Sequence, residues 1–260
     1  MLNFFNMKIK KILIILIANI FLIGCVAETN STLSSTNRFL PGTPSTINLS
    51  IPLEINIVEF DPGIPSNPKN YEKEGVWPEL RRAESRKFSN DLKKSLTRTN
   101  EFGNIYITPN QRYLSDLAIN GKIIKSNGED LHIQISAIDS TGSKLIRDKI
   151  YKHRTNEEFY RNLRNKDKDP FDKLFDDISN DLIKSLRSKD LYNIQQITEL
   201  RFAREMDLAN FQDSVIEKNN IVYANFIPAA NDPLFLRTKN IRSKDLLFRS
   251  NMQSTYDQFI

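Results

Sequence analysis

Alternation of apolar and polar residues predicts the first strands of a sheet. Residues 53–60 (LEINIVEF) alternate with the two-residue period of a half-buried strand. Residues 105–107 (IYI) form a short apolar run that ends before Pro109. We therefore expect two strands here, separated by the segment that contains the first helix.

A second group of alternating runs predicts a three-stranded meander. Residues 117–123 and 131–137 each place their apolar side chains on one face, and Asn127-Gly128 lies between them. Asn-Gly between alternating runs is typical of a tight hairpin, because both residues tolerate positive φ. A turn at residues 140–143 then leads to a third strand over residues 144–151.

Spacings of three and four residues predict two helices in the same region. Pro78 can occupy a first helical turn, and the helix is predicted to end before Gly103. Its apolar residues follow mainly at helical spacing: Leu80, Ala83, Phe88, Leu92 and Leu96. For the second helix, Asp169 is the expected N-cap and Pro170 the first helical residue. Its apolar stripe consists of Phe171, Leu174, Phe175, Ile178, Leu182, Ile183 and Leu186.

These elements predict the fold class. The order is strand, helix, strand, three-stranded meander, helix, which fits an α/β sandwich with helices packed on a mixed sheet of about five strands. We assign this domain to residues 51–188. Residues 189–260 are predicted to form a mainly helical extension, with helices at 190–208 and 243–259 and a strand at 221–226.

The start of the chain has the pattern of a secretory signal. Lys8, Lys10 and Lys11 precede an apolar run over residues 12–23, whichever of Met1 and Met7 is the true start. That run has the length of a signal h-region and is short for a membrane-spanning helix. The alternative, a buried thiol at the end of a transmembrane helix, fits this length less well.

Leu22-Ile23-Gly24-Cys25 resembles the lipobox of bacterial lipoproteins. The resemblance implies cleavage between Gly24 and Cys25, lipidation of Cys25 and removal of residues 1–24. Val26 stands where retention at the inner membrane usually requires Asp, which implies an outer-membrane protein that faces the periplasm. The attached acyl chains would give stable anchoring, because more than one chain is carried.

The composition of residues 25–50 predicts a flexible tether between this anchor and the domain. They are rich in Ser, Thr and Asn and have almost no apolar periodicity. Cys25 is the only cysteine, so a disulfide within the chain and a cysteine-ligated metal cluster are both excluded.

The apparent basicity of the chain comes mostly from its signal. The net charge is +5, with 37 basic residues, three of which lie in residues 1–24. Their removal leaves 34 basic against 32 acidic residues, a net charge of +2. So small a charge gives no case for nucleic-acid binding.

The order of elements resembles small periplasmic domains of envelope lipoproteins. These include the penicillin-binding-protein activator, curli-secretion and ABC-transport auxiliary lipoproteins, and the likeness is topological without a shared catalytic motif. Residues 75–84 (GVWPELRRAE) and 197–203 (ITELRFA) also resemble a set of proteobacterial lipoproteins of uncharacterised function.

One cluster of aromatic and basic residues is a candidate partner-binding site: Trp77, Arg81, Arg82 and Arg86. An exposed Trp with arginines is the composition of an interface hot spot. The favoured alternative is structural: Trp77 covers the helix start as a hydrophobic staple, and the basic residues pair with Glu79, Glu84 and Asp91.

Catalytic and metal-binding patterns are scarce in the sequence. It contains no G-x-S-x-G, H-E-x-x-H, P-loop or G-x-G-x-x-G. His132 is expected on the outward face of the second hairpin strand, and His153 lies between Lys152 and Arg154. The adjacent acids Asp176-Asp177 and Glu157-Glu158 are expected to be solvated, so we predict no enzyme, no metal and no cofactor.

Three functional hypotheses follow from these observations. The first is a non-enzymatic accessory lipoprotein that binds an envelope protein partner or peptidoglycan. The second is a lipoprotein that binds a small periplasmic ligand in a deep pocket. The third, least favoured, is a hydrolase of envelope polymers.

Overall fold

A computed structural model describes residues 52–109, 114–165 and 168–258. The predicted signal, Gly24, Cys25 and the predicted tether lie outside the described residues. Within them the chain has the predicted architecture, a mixed five-stranded sheet with packed helices and a helical C-terminal extension.

The sheet has the strand order β2-β1-β3-β4-β5. Its strands are β1 (Ile55–Val58), β2 (Ile105–Thr108), β3 (Leu117–Ser126), β4 (Asp130–Asp139) and β5 (Lys144–Arg154). β1 pairs in parallel with both β2 and β3, and β3, β4 and β5 pair antiparallel as the predicted meander. The predicted fold class is confirmed.

Two long helices cover one face of this sheet. After the short helix α1 (Asn70–Glu74), helix α2 (Pro78–Arg98) connects β1 to β2. After β5 come the short helix α3 (Glu157–Arg161) and then α4 (Asp172–Leu186). Phe88 of α2 packs against Phe175 of α4 with ring centroids 6.0 Å apart, and both belong to the main core.

The buried face of α2 differs from the predicted stripe. Leu80 and Ala83 were expected to face the core, yet both are exposed. Ser85 and Ser89 lie on the buried face instead, because both hydrogen-bond Phe60, just after the end of β1. The Ser85 hydroxyl donates to the Phe60 carbonyl, and the Ser89 hydroxyl accepts from the Phe60 amide at 3.0 Å. Small hydroxyl side chains allow the helix to approach the strand closely.

The predicted hairpin turn is confirmed in its location, whereas the predicted N-cap Asp169 and first helical residue Pro170 are each wrong by two residues. The hairpin between β3 and β4 has three residues; Gly128 takes a φ of +87°, and the Asn127 side chain accepts from the Asp130 amide at 2.7 Å. Helix α4 begins two residues after Pro170, because Asp169 accepts from the Phe171 amide at 2.8 Å and closes a turn before the helix.

The C-terminal extension contains four elements besides the final helix. They are α5 (Leu191–Met206), α6 (Leu208–Phe211), β6 (Val215–Lys218) and β7 (Ile221–Ala224). Strand β6 was not predicted; it pairs with β7 through Asn219 and Asn220, which both take positive φ. The final helix, α7 (Pro233–Asp257), begins ten residues before the predicted start.

The extension is attached to the sheet at the turn between β4 and β5. The Ser140 hydroxyl donates to the Ile194 carbonyl at 2.5 Å, and Arg201 donates to the Ser140 carbonyl at 2.8 Å. The Val222 amide donates to the Thr141 carbonyl, also at 2.8 Å. These polar contacts place α5 and the small hairpin at one end of the sheet.

Candidate functional site

A buried ionic cluster joins helix α7 to the face of the sheet opposite α2 and α4. Arg242 of α7 lies 3.0 Å from Glu54 Oε2 and 3.8 Å from Asp116 Oδ1. Asp116 also accepts from the Glu54 amide at 2.9 Å. The alternation of residues 53–60 predicts Glu54 on the polar side of a half-buried strand. In the structure, α7 covers that side as well.

Burial changes the acid–base properties of this cluster. The pKa of Glu54 is raised to about 7, because desolvation, with a contribution from the Asp116 carboxylate, outweighs the attraction of Arg242 and Arg249. The pKa of Tyr106 is raised to about 12, first by burial and then by the Glu54 carboxylate. The Tyr106 hydroxyl donates to the Leu246 carbonyl at 3.2 Å, a second polar link to α7.

Helix α7 also occupies part of the open edge of the sheet. Gln253 accepts from the Ile107 amide at 3.0 Å, so a side chain replaces a neighbouring strand at this point. Beside this contact is a mainly apolar groove of about 380 Å³. Its lining includes Pro109, Phe248 and Met252.

Exposed apolar side chains are concentrated in the C-terminal extension. Of the 18 large hydrophobic residues that the described part of the chain exposes, 11 lie between residues 206 and 252. They are Met206, Leu208, Tyr223, Phe226, Ile227, Leu234, Leu236, Ile241, Leu247, Phe248 and Met252. Where such side chains form a contiguous patch, they mark an interaction surface more often than scattered single residues do.

The predicted Trp77 cluster is only partly a surface feature. Trp77 is 74 % exposed, and Arg82 and Arg86 are also exposed. Arg81 is 4 % exposed, and its guanidinium donates to the Ser126 carbonyl at 3.4 Å. The structure therefore leaves Trp77, Arg82 and Arg86 accessible near the start of α2 and turns Arg81 inward.

The structural alternative for this cluster is correct in predicting ion pairs for the basic residues and wrong in predicting that Trp77 covers the helix start. Arg82 pairs with Glu79 at 2.6 Å and Lys87 with Asp91 at 2.6 Å, and Arg81 lies 3.6 Å from Glu84. Trp77 is too exposed to act as a hydrophobic staple. Leu80, one turn further on, is exposed as well.

Trp77 and the first described residue lie at opposite ends of the sheet. The Arg81 contact places the α2 start beside Ser126, at the end of β3. The Leu117 amide, at the beginning of β3, donates to the Glu54 carbonyl, two residues after Pro52. The ten residues of β3 separate these points by about 30 Å.

The residues considered for chemistry take structural positions. His132 is half-buried on the face of β4 opposite Leu131 and Ile133, as predicted. The His153 ring packs against Phe171 with centroids 6.0 Å apart, and burial lowers its pKa. Within the described residues, no group of three or more His, Cys, Asp or Glu side chains is placed to hold a metal ion.

The adjacent acid pairs do not face a shared cleft. Asp176 is buried, contrary to expectation, because its carboxylate accepts from Ser95 at 2.8 Å and Arg98 at 2.7 Å and so links α4 to α2. Glu157 is exposed and pairs with Arg161 at 2.7 Å within α3. These carboxylates therefore contribute to helix contacts.

Comparisons of the chain with protein-family models, with curated proteins and with solved structures find no match. Among the helices that the structure describes, none is both long enough and apolar enough to cross a bilayer.

Proposed function

We propose that this chain is a lipid-anchored accessory protein of the bacterial cell envelope that binds a protein partner. Residues 1–24 direct export, lipidated Cys25 holds the mature chain at the outer membrane, and the α/β domain works in the periplasm without catalysing a reaction. Support comes from the lipobox-like Leu22-Ile23-Gly24-Cys25 and from an exposed aromatic surface on the domain.

The exposed surface formed by Trp77 and Leu80 is the observation that carries this proposal. Both side chains lie at the start of a 21-residue helix, at the sheet end remote from Pro52. The Ser126 hydroxyl donates to Glu84 at 2.6 Å and joins that helix to the tip of the β3–β4 hairpin. A large aromatic side chain on a fixed support is the usual centre of an interface hot spot.

Photo-crosslinking in intact envelopes tests the proposal. A photoreactive residue at position 77 is expected to give an adduct of discrete mass with one envelope protein, and Leu80→Ser should weaken that adduct. The matched control places the same residue at Tyr192, an aromatic position on α5 that is 70 % exposed. Equal adducts at both positions, or reproducible absence of any adduct at 77, would refute the partner surface.

A further inference from the structure

Helix α7 exposes an apolar row and a basic row side by side. Leu234, Ile241, Phe248 and Met252 form the apolar row; they are 38 to 64 % exposed. These residues are seven, seven and four positions apart. In a helix with 3.6 residues per turn, such spacings place them close to one line, which is about 27 Å long. Arg237 and Lys244, also seven residues apart, form the exposed basic row next to it.

The face of α7 that contacts the protein is unusually polar. Arg242, Thr238 and Gln253 face the domain and α5, and among the side chains of α7 that the structure describes Phe235 is the one large apolar residue that is buried. Most apolar side chains of this helix thus lie on flanks that the rest of the described chain covers only in part. An amphipathic helix normally has the reverse arrangement.

The chain enters the domain next to this helix. The Pro52 carbonyl lies beside Gly103, so that a Cβ on Gly103 would be only 3.0 Å from it. The next residues, Asn104 and Ile105, share a groove of about 390 Å³ with Ser250 and Ser254 of α7. The chain therefore enters beside the Ser250–Ser254 flank of α7, whereas Phe248 and Met252 lie on its other flank, next to Thr108 and Pro109 at the end of β2.

We propose that the outer face of α7 is a membrane-contact surface that rests on anionic lipid. The apolar row enters the interfacial region of the bilayer, and Arg237 and Lys244 bind the lipid phosphates. This inference rests on the proposed lipid anchor: 26 residues separate Cys25 from Pro52, and a chain of that length has a root-mean-square reach of about 25–30 Å. The anchor thus keeps α7 close to the bilayer, where a weak second contact is effective.

The charge pattern favours a lipid surface over a second copy of the chain. A coiled-coil seam needs a second apolar row three or four residues from the first. Those positions hold Arg237 with Thr238, and Lys244 with Asp245. Within the described residues neither Arg237 nor Lys244 forms an ion pair, so both cations are available for phosphate groups.

Tryptophan fluorescence tests the contact because Trp77 is the only native Trp. The lipidated mature protein is reconstituted into vesicles of phosphatidylethanolamine and phosphatidylglycerol that carry brominated acyl chains as quenchers. A Trp77→Phe/Phe248→Trp variant moves the fluorophore between two exposed aromatic positions. We expect strong quenching at position 248 and none at position 77, because α7 and α2 lie on opposite faces of the sheet.

Charge reversal and flotation separate the possible outcomes. When Arg237→Glu and Lys244→Glu are added to the Trp77→Phe/Phe248→Trp variant, the quenching at position 248 should fall about fivefold or more. Vesicle flotation of the same samples reports the anchor, and absence of flotation would refute both the anchor and this inference. Flotation without quenching at position 248 would refute the membrane contact alone; this result is expected if a protein or a second copy of the chain covers α7. Equal quenching at positions 77 and 248 would also refute the membrane contact alone.

Discussion

The burial of Glu54 depends on a residue in a distant part of the chain. In the sequence it is a polar position of an alternating strand, which predicts exposure to solvent. Arg242, 188 residues later, covers it in the structure. No local pattern contains that contact, which is why the ionic cluster could not be predicted while the apolar side of β1 could.

The raised pKa of Glu54 predicts a specific dependence of stability on pH. Its value of about 7 in the folded protein exceeds the ordinary 4.5, so the folded state binds this proton more tightly. The contribution to the free energy of unfolding is therefore full below about pH 4.5 and is lost as pH rises through 7. Glu54→Gln should raise stability near pH 8, by about 3 kcal/mol at most, and change it little near pH 4.5.

Urea unfolding of wild type and variant at both pH values measures this effect. Glu79→Gln is the matched control, because the Glu79 side chain is 90 % exposed. A Glu54→Gln variant that is less stable than wild type near pH 8 would show that the ion pair with Arg242 outweighs the cost of burial.

At the scale of elements, two helix starts show how much of a helix boundary the local sequence determines. Asp232-Pro233 begins α7, with Asp232 accepting from the Leu234 amide at 2.8 Å. The same dipeptide at 169–170 precedes α4 by a turn. The local chemistry is alike in both places, and the surrounding packing decides where the helix begins. Helix α4 was still correctly identified, because its full apolar stripe faces the core.

Helix α7 could be predicted only in part, because its contacts with the domain are mainly polar. Its apolar residues mark a helix without indicating which face is buried, and the prediction therefore began at Ser243 instead of Pro233. The β6–β7 hairpin had a readable signal that was missed: Asn219-Asn220 can take the two positive φ angles of a tight turn.

Removing Arg242 is predicted to release α7 in a pH-dependent manner. Arg242→Ala leaves two buried carboxylates without their cation, which typically costs about 3–5 kcal/mol. Near pH 5 the cost should be smaller, because Glu54 is then protonated and neutral. Hydrogen exchange of the α7 amides should accelerate near pH 8 and much less near pH 5.

The exposed Lys244 on the same helix provides the control for this prediction. Lys244→Ala should leave exchange in α7 at the wild-type rate at both pH values. Equal acceleration by the two variants, or an Arg242→Ala effect that does not change with pH, would contradict the role assigned to the cluster.

At the scale of the whole molecule, the sheet separates two surfaces with different proposed partners. Trp77 and Leu80 lie at one end, and the chain from Cys25 enters at the other, beside α7. The sequence predicted the sheet because its strands alternate regularly. It could not predict this separation, since the relation between Trp77 and Pro52 depends on how β1, β2 and β3 pair.

The proposed lipid anchor can be tested at Cys25 itself. Mass spectrometry of the protein from its native envelope should find Cys25 as the N-terminal residue, carrying acyl chains. Cys25→Ser should remain at the mass of the unprocessed precursor, with Lys8, Lys10 and Lys11 still present. A Cys25→Ser protein processed like the wild type, or a wild type without acyl chains at Cys25, would contradict the proposed lipid anchor.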